Sequence, residues 1–308
     1  MTSVTSTRNV SDKPPTLRIA RATARLTARP ETLRAVKSGR TPKADPVGVA
    51  KVAAIQAAKQ TSLLIPFCHQ VPLDGIRVAI TAEKKWFDIE TEVSAVWKTG
   101  VEMEALTAAA AAALTLYDML KPIDRTLAIG RVRLTHKSGG KSSLMMDGRG
   151  LKAAVLVLSD SISAGREKDL SGRLLVDGLR KYRARVPVYR VLPDDRGAIT
   201  TALKELADRR KIDLVVTCGG TGAGRRDVTA EAIADVIEKR LHGVESAFLS
   251  FGQARFPTSM LCRCIAGTRK NSIILGIPGS PGAARDALAA LFPALFHAIP
   301  VMKGMRHG

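Results

Sequence analysis

Aromatic side chains make up only 4% of this 308-residue chain. That scarcity argues against a nucleic-acid binder, which would set stacking rings among its cations. There are four cysteines, Cys68, Cys218, Cys262 and Cys264, and no C-x-x-C pair. Cys262-Arg-Cys264 supplies half a zinc site at most, and no second pair of ligands has suitable spacing, so the four read as reduced, buried thiols in a cytoplasmic protein. No apolar run approaches the length of a membrane span, which points to a soluble chain. The Gly-rich stretch at 219–229 lacks the Gly-Lys-Ser/Thr that would make it a P-loop.

Positive charge is abundant. The formal charge is +20, and residues 1–150 and 151–308 carry +10 each, so neither half is a basic arm. Clefts of one sign concentrate and steer substrates bearing several phosphates, and polyanionic small molecules account for the charge more economically than a specific nucleic acid. The length suits two domains, each able to bury its own core. The only Gly/Ser-rich stretch between two patterned halves runs from Gly139 to Gly150. The division expected is therefore a first domain over 15–143, a linker at 144–150 and a second domain over 151–308. Residues 1–14, polar and Ser/Thr-rich, read as a disordered leader. With the Arg-rich stretch that follows they share features with a mitochondrial transit peptide, against which Asp12 and Glu31 count.

In the first half, Ile76–Ile80 and Trp86–Val96 read as strands, with helices at 46–61 and 100–121, which suggests an α+β domain with an antiparallel sheet. Thr99 and Glu102 have the T-x-x-E spacing of a capping box, Glu102 and Glu104 suit the positive helix start, and Pro122 stops the helix after Lys121. Between these ends the helix is small and apolar, as if buried nearly all round. Asp118 and Lys121, three apart on one face, would be unusual if they too pointed inward, and otherwise form an exposed ion pair.

The stretch Lys98-Thr-Gly-Val-Glu102-Met-Glu104, with Tyr117-Asp118-Met-Leu-Lys121, Lys137-Ser-Gly-Gly-Lys141, Leu64-Ile-Pro-Phe-Cys68-His69 and Lys43-Ala-Asp45, resembles the cyclic pyranopterin monophosphate synthase family (MoaC) over about residues 17–143. The resemblance implies that Lys43, His69, Asp118 and Lys121 are catalytic and that Cys68, Glu102, Glu104, Lys137 and Lys141 bind substrate. That substrate is a cyclic dihydroguanosine triphosphate, rearranged to the cyclic phosphate with loss of pyrophosphate. Chemically, such a site needs cations for the polyphosphate and groups that exchange protons as rings open and close. A lysine near other cations can have a depressed pKa and serve as acid or base, with Asp118 orienting it or relaying its proton. The chain departs from the family at Gln70, where proline usually follows the histidine, and at Lys51, where arginine is common.

In the second half, apolar strands at Ala153–Leu158, 186–192, Ile212–Cys218 and Ser272–Ile277 alternate with helices near 170–184, 197–210, 229–254 and 282–298. That order means an α/β domain, a mostly parallel sheet in three layers, with ligands at the carboxyl ends of the strands. Loops follow those strands at Ser159-Asp160-Ser161 through Asp169-Leu-Ser171-Gly172, at Leu192-Pro-Asp194, at Gly219-Gly220-Thr221-Gly222 through Asp227 to Thr229, and at Pro278-Gly279-Ser280. A Gly-rich turn before a helix lets backbone N–H groups approach an anion, although a tight connection alone would explain it. Together these loops resemble the molybdopterin adenylyltransferase family (MogA/MoaB) over about residues 151–300. The resemblance implies catalytic, Mg-binding carboxylates at Asp194 and Asp227, with Ser159, Asp160, Ser171, Gly172, Gly219, Gly220, Thr221, Gly222, Pro278, Gly279 and Ser280 around nucleotide and pterin. Two carboxylates suit Mg²⁺ with ATP, whereas either alone could be a helix cap. Cys262 stands where serine is frequent in this family, and Gly276 where asparagine is common.

The chain is therefore expected to be a bifunctional enzyme of molybdenum cofactor biosynthesis, taking a cyclic dihydroguanosine triphosphate, ATP and molybdopterin, with no specific nucleic acid and no membrane. Both families imply threefold symmetry, hence a homo-trimer or hexamer. The rival expectations are an active synthase fused to a non-catalytic pterin-binding or scaffolding domain, and a basic nucleic-acid binder without a recognisable motif.

Overall fold

The computed structural model describes residues 5–140 and 147–304, and the chain divides into two compact units, Met1–Ser143 and Leu144–Gly308. In the first unit, strand β1 (Thr16–Thr27) leads into helix α1 (Pro30–Lys37), α2 (Pro46–Lys59) and the single turn α3 (Thr61–Leu64). Strands β2 (Gly75–Ala82) and β3 (Trp86–Trp97), helix α4 (Glu102–Leu120) and strand β4 (Ala128–Ser138) complete it. The four strands form one antiparallel sheet in the order β2-β3-β1-β4.

Two of those strands escape the hydrophobic pattern. Along β1, Ala20, Ala22, Ala24 and Leu26 are buried and alternate with Arg21, Thr23 and Arg25. Alanine has little preference for strands, so the alternation of alanine with arginine carries a weak signal. β4 is exposed along almost its whole length. The small β1 side chains receive α4 through Ala105, Ala108, Ala109, Ala112 and Ala113, all fully buried. By length and composition α4 could cross a membrane, contrary to the reading that no segment is so apolar. Its apolar character is accounted for by this core. Helix α4 begins at Glu102 with no side-chain cap, so the expected Thr99/Glu102 capping box does not form. Glu102 occupies the first helical position instead of the third, and its carboxylate turns toward Lys137.

The second unit runs β5 (Lys152–Leu158), α5 (Asp160–Ser163), α6 (Ser171–Lys181), β6 (Arg185–Leu192), α7 (Arg196–Lys204), which continues as a π-turn (Glu205–Arg209), and β7 (Leu214–Cys218). There follow α8 (Thr229–Ala234), β8 (Lys239–Arg240), α9 (His242–Gln253), β9 (Ile265–Arg269), β10 (Ser272–Ile277), α10 (Pro281–Leu291) and α11 (Ala298–Met302). The sheet order is β6-β5-β7-β10-β9-β8. Its first four strands are mutually parallel, and β9 and β8 are added antiparallel at one edge. Ala153, Val155 and Val157 face one buried cluster and Ala154, Leu156 and Leu158 another, which is the three-layer arrangement of a sheet covered on both faces. The helix expected over 282–298 ends at Leu291, before Pro293, which has no N–H to continue it. Asp147 and Gly148, read as linker, are fastened to this unit: Asp147 pairs with Arg183, and Gly148 N–H donates to Tyr182 O at 2.7 Å.

Below α1 in the first unit lies Asp124, its side chain fully buried. It accepts from Arg29 N–H (2.8 Å), Thr32 Oγ1 (2.9 Å), Thr126 N–H (2.8 Å) and Thr126 Oγ1 (2.7 Å). Burial pushes its pKa up, but these bonds outweigh burial and hold it at about 2. Asp124→Ala should cost about 3 kcal/mol, because four donors lose their acceptor, and a thermal melt reads the loss. The depressed pKa means that this stabilisation is complete above the unfolded value of about 4 and disappears as pH falls through about 2. The difference between wild type and variant should therefore shrink in acid.

Candidate functional sites

In the first unit the expected residues fall into two groups. At the start of α4, Cys68, His69, Glu102 and Glu104 line a cavity of about 340 Å³ together with Phe67 and Thr99. His69 is half-buried in the turn after α3, and Gln70 beside it is exposed. Glu104 is only 5% exposed. Burial, and then the negative charge of Glu102, push its pKa up, so it is the carboxyl of this cavity most inclined to hold a proton. Burial likewise pushes the Cys68 thiol up and keeps it a weak nucleophile. Lys137 approaches Glu102 at 3.7 Å from strand β4. Lys141 lies outside the described residues.

At the other end of α4, Asp118 is gripped by two lysines, with Lys121 Nζ at 2.7 Å and Lys43 Nζ at 2.9 Å. Neither Asp118 nor Lys121 points inward; their side chains are 55% and 56% exposed. The hydrogen bond from Lys121, then that from Lys43, hold Asp118 at about 2. Asp118 in turn pushes Lys121 up, which corrects the expectation of a depressed lysine. At Lys121 the anion overrides the repulsion of neighbouring cations, and one carboxylate holds two ammonium groups together. From Glu102 to Asp118 a helix rises about 24 Å, so one chain holds the His69–Glu104 cavity and the lysine pair far apart.

In the second unit the predicted loops converge. Those after β5, β6, β7 and β10 lie at the carboxyl edge of four adjacent strands, and the order reverses between β5 and β7, where such sheets bind ligands. Gly219 (φ +122°) passes so close to β5 that an added Cβ would be 2.0 Å from Leu158 O. Gly220 (φ +60°) covers Asp194 and Thr229: a Cβ there would be 2.9 Å from Asp194 Oδ1 and 2.4 Å from Thr229 Oγ1. Both of those oxygens are buried without a hydrogen-bond partner. Asp160 and Asp194 exchange bonds, each backbone N–H donating to the other carboxylate at 3.1 Å, and Arg226 pairs with Asp160. Burial, and then the charges of Asp160 and Asp227, push the Asp194 pKa up. Asp227 Oδ2 accepts from Gly224 N–H at 2.8 Å. Beside Thr221, Gly222 and Ser280 opens a cavity of about 630 Å³, walled by Phe248, Phe256 and Pro278.

Other expected residues have local structural work. Ser159 caps α5, accepting from Ile162 N–H, and Ser280 caps α10, accepting from Ala283 N–H. Ser171 is buried and donates to Gly279 O at 2.6 Å, tying two loops together. Gly172 packs against Val157 and Tyr189 and donates its N–H to Asp169. Cys218 donates to Pro278 O at 3.5 Å, and burial pushes its thiol up to about 12. Thr229, Arg226 and Arg263 were not singled out from the sequence. The first two lie inside the Gly-rich stretch and were legible there, whereas Arg263 comes from a distant segment.

Asp194 Oδ1 and Thr229 Oγ1 are hard oxygen donors of the kind Mg²⁺ takes, and the site fits such an ion. Among the described residues no three His, Cys, Asp or Glu converge on one metal point, so an ion here would draw its remaining ligands from phosphate oxygens and water.

One α+β and one α/β unit, each with its own cluster of charged side chains beside a cavity, thus define a two-headed protein. The MoaC family matches residues 7–140, reaching back into the segment read as a leader, and a "probable molybdopterin binding domain" matches residues 154–297. A molybdenum cofactor biosynthesis bifunctional protein of Chlorobaculum tepidum is 43% identical over 299 residues, covering 97% of this chain and 95% of that one. A cyclic pyranopterin monophosphate synthase of Thermomicrobium roseum is 50% identical over 136 residues, covering 44% of this chain and 82% of that one. The molybdopterin biosynthesis enzyme MoaB of Thermus thermophilus aligns at 32% identity, over 50% of this chain and 98% of that one, with a TM-score of 0.48. The chain belongs to the family of bifunctional molybdenum cofactor biosynthesis proteins, joining a MoaC domain to a MogA/MoaB-type domain.

The two glycines of the second site should respond differently to alanine. Gly219→Ala drives a Cβ into the backbone of β5 and should destabilise the unit by about 2–4 kcal/mol in a chemical melt. Gly222→Ala meets only the tip of Asp227 at 2.8 Å, so it should fold normally while displacing that carboxylate.

Proposed function

We propose that the first unit converts a cyclic dihydroguanosine triphosphate to cyclic pyranopterin monophosphate and pyrophosphate, and that the second adenylylates molybdopterin with ATP. The observation that carries the first assignment is the lysine pair on Asp118 set against a cavity holding His69 and the proton-prone Glu104. Lys43, Lys121, Lys137 and Lys141 supply cations for the triphosphate. Glu104 and His69 supply groups that can exchange protons during ring opening and closure. Because about 24 Å of helix separates the two groups, a complete site needs a second copy of the chain. Between the groups, Val52, Leu63, Leu64, Phe67, Leu114 and Tyr117 leave an exposed apolar stretch on α2, on α4 and around α3 that such a copy would cover. The protein is read as a homo-oligomer, trimeric or hexameric, of the cytoplasm.

In the second unit the observation is the pair of unpartnered oxygens, Asp194 Oδ1 and Thr229 Oγ1, under a Gly-rich loop at the strand ends. The pterin's terminal phosphate attacks the α-phosphate of ATP, the bond to the β-phosphate breaks, and pyrophosphate leaves. Bound Mg²⁺ would neutralise phosphate charge. Backbone N–H groups of the Gly-rich loop are suited to cradle the phosphates, and the apolar cavity beside Ser280 suits a flat ring. A second reading, pterin binding without transfer, is favoured by that cavity alone.

Lys121→Ala and His69→Ala should each abolish synthase turnover at unchanged thermal stability. Mixed and reassembled, the two variants should regain a substantial fraction of it, because a mixed pair contains one intact site; no recovery would sink the shared-site reading. In the second unit, Asp194→Asn and Asp227→Asn should each lower AMP transfer at least about a hundredfold, with pterin affinity nearly unchanged. Wild-type protein that binds molybdopterin yet forms no AMP adduct with Mg-ATP would favour the binding-only reading.

A further inference from the structure

In the second unit one side chain from a distant segment makes several of the bonds that hold the Gly-rich loop. Gly219, Gly220, Gly222 and Gly224 crowd into six positions, and glycine loses more backbone freedom on ordering than any other residue, so the loop needs external ties. Arg263, just before β9, provides them. Its backbone N–H donates to Thr221 O at 2.8 Å and its Nε to Gly222 O at 2.7 Å. Its Nη2 donates to Asp227 O and its Nη1 to Glu231, which lies one turn into α8. One residue thus engages the carbonyls at both ends of the turn that presents the Asp227 carboxylate.

We infer that Arg263 is a positioning residue for adenylyl transfer, setting the Asp227 carboxylate by clamping the carbonyls of Thr221, Gly222 and Asp227. This rests on the adenylyl-transfer reading for its consequence in turnover, though not for the clamp itself. The guanidinium is suited to the task because its donors form a rigid planar fork that reaches three acceptors at once. An ammonium keeps the charge toward Glu231 but is a compact group that cannot reproduce the fork. Glu231 orients the guanidinium from its far side. Its loss leaves the bonds to Gly222 and Asp227 in place.

The test uses the full chain with Arg263→Lys and Glu231→Gln. In Arg263→Lys, the Mg²⁺ concentration for half-maximal AMP transfer should rise about tenfold and kcat fall by a similar factor, while KM for molybdopterin moves less than about twofold. Paramagnetic titration of Mn²⁺ with a non-hydrolysable ATP analogue should show an affinity about tenfold weaker. Glu231→Gln should stay within about threefold of wild type in all four measurements, since hydrogen bonds to two carbonyls remain. An Arg263→Lys variant with wild-type metal dependence, or a Glu231→Gln variant equally damaged, overturns the inference, the latter because the ion pair would then be what matters. Independently of any variant, the amides of Arg263, which donates to Thr221 O, and of Gly224 and Asp227, which bond each other across the turn, should exchange slowly in the unaltered protein, and exchange there at the rate of a free loop also overturns it. Should the wild type form no AMP adduct, adenylyl transfer falls, while the Mn²⁺ titration and amide exchange still decide the clamp.

Discussion

The contact of helix α4 with strand β1 runs through alanines on both sides, Ala105, Ala108, Ala109 and Ala112 against Ala20, Ala22 and Ala24, and the rest of the first unit follows from it. Side chains of this size let backbone approach backbone, so a straight helix of 19 residues can lie along the sheet. Its rigidity then fixes the geometry of the charges at its ends. Glu102 and Glu104 stay at the start, with the His69 turn, and Asp118 stays at the end, with Lys121 and Lys43.

Glycine plays the corresponding part in the second unit. Gly219 passes the end of β5 where no Cβ fits, and Gly220 leaves room above Asp194 and Thr229. The result is an acidic, partly buried recess, where burial and then the charges of Asp160 and Asp227 raise the proton affinity of Asp194. Arg226, on Asp160, and Arg263, on the loop carbonyls, are the counterweights. A recess of this kind suits a complex of cation and polyphosphate, because each partner relieves the unfavourable charge of the other.

The division of labour also explains the even spread of positive charge. In the first unit Lys43 and Lys121 are exposed around Asp118, which pushes the Lys121 pKa up. In the second, Arg226 and Arg263 are engaged by carboxylates and carbonyls. Net charge by itself would have suggested neither arrangement.

The amino-acid sequence determined a good deal by itself: two units, the parallel strands at 152–158, 185–192, 214–218 and 272–277, and the loops after each of them. The strands at 152–158, 214–218 and 272–277 are nearly continuous apolar runs because both faces are buried, and such a run between helices is legible without coordinates. Strands β1 and β4 were not legible, because alanine is too small to mark a core face and β4 buries almost nothing. Short β9, which adds antiparallel at the sheet edge, was hidden too. Only tertiary structure decided that Asp118 and Lys121 face outward, that Ser171 ties one loop to another, and that Arg263 reaches back to Gly222. For Asp118 and Lys121 local spacing allowed both an inward and an outward face, and only packing chose; for Ser171 and Arg263 a partner some forty or a hundred residues away leaves no trace in local spacing, whereas the period of a strand or helix is written in its own neighbours.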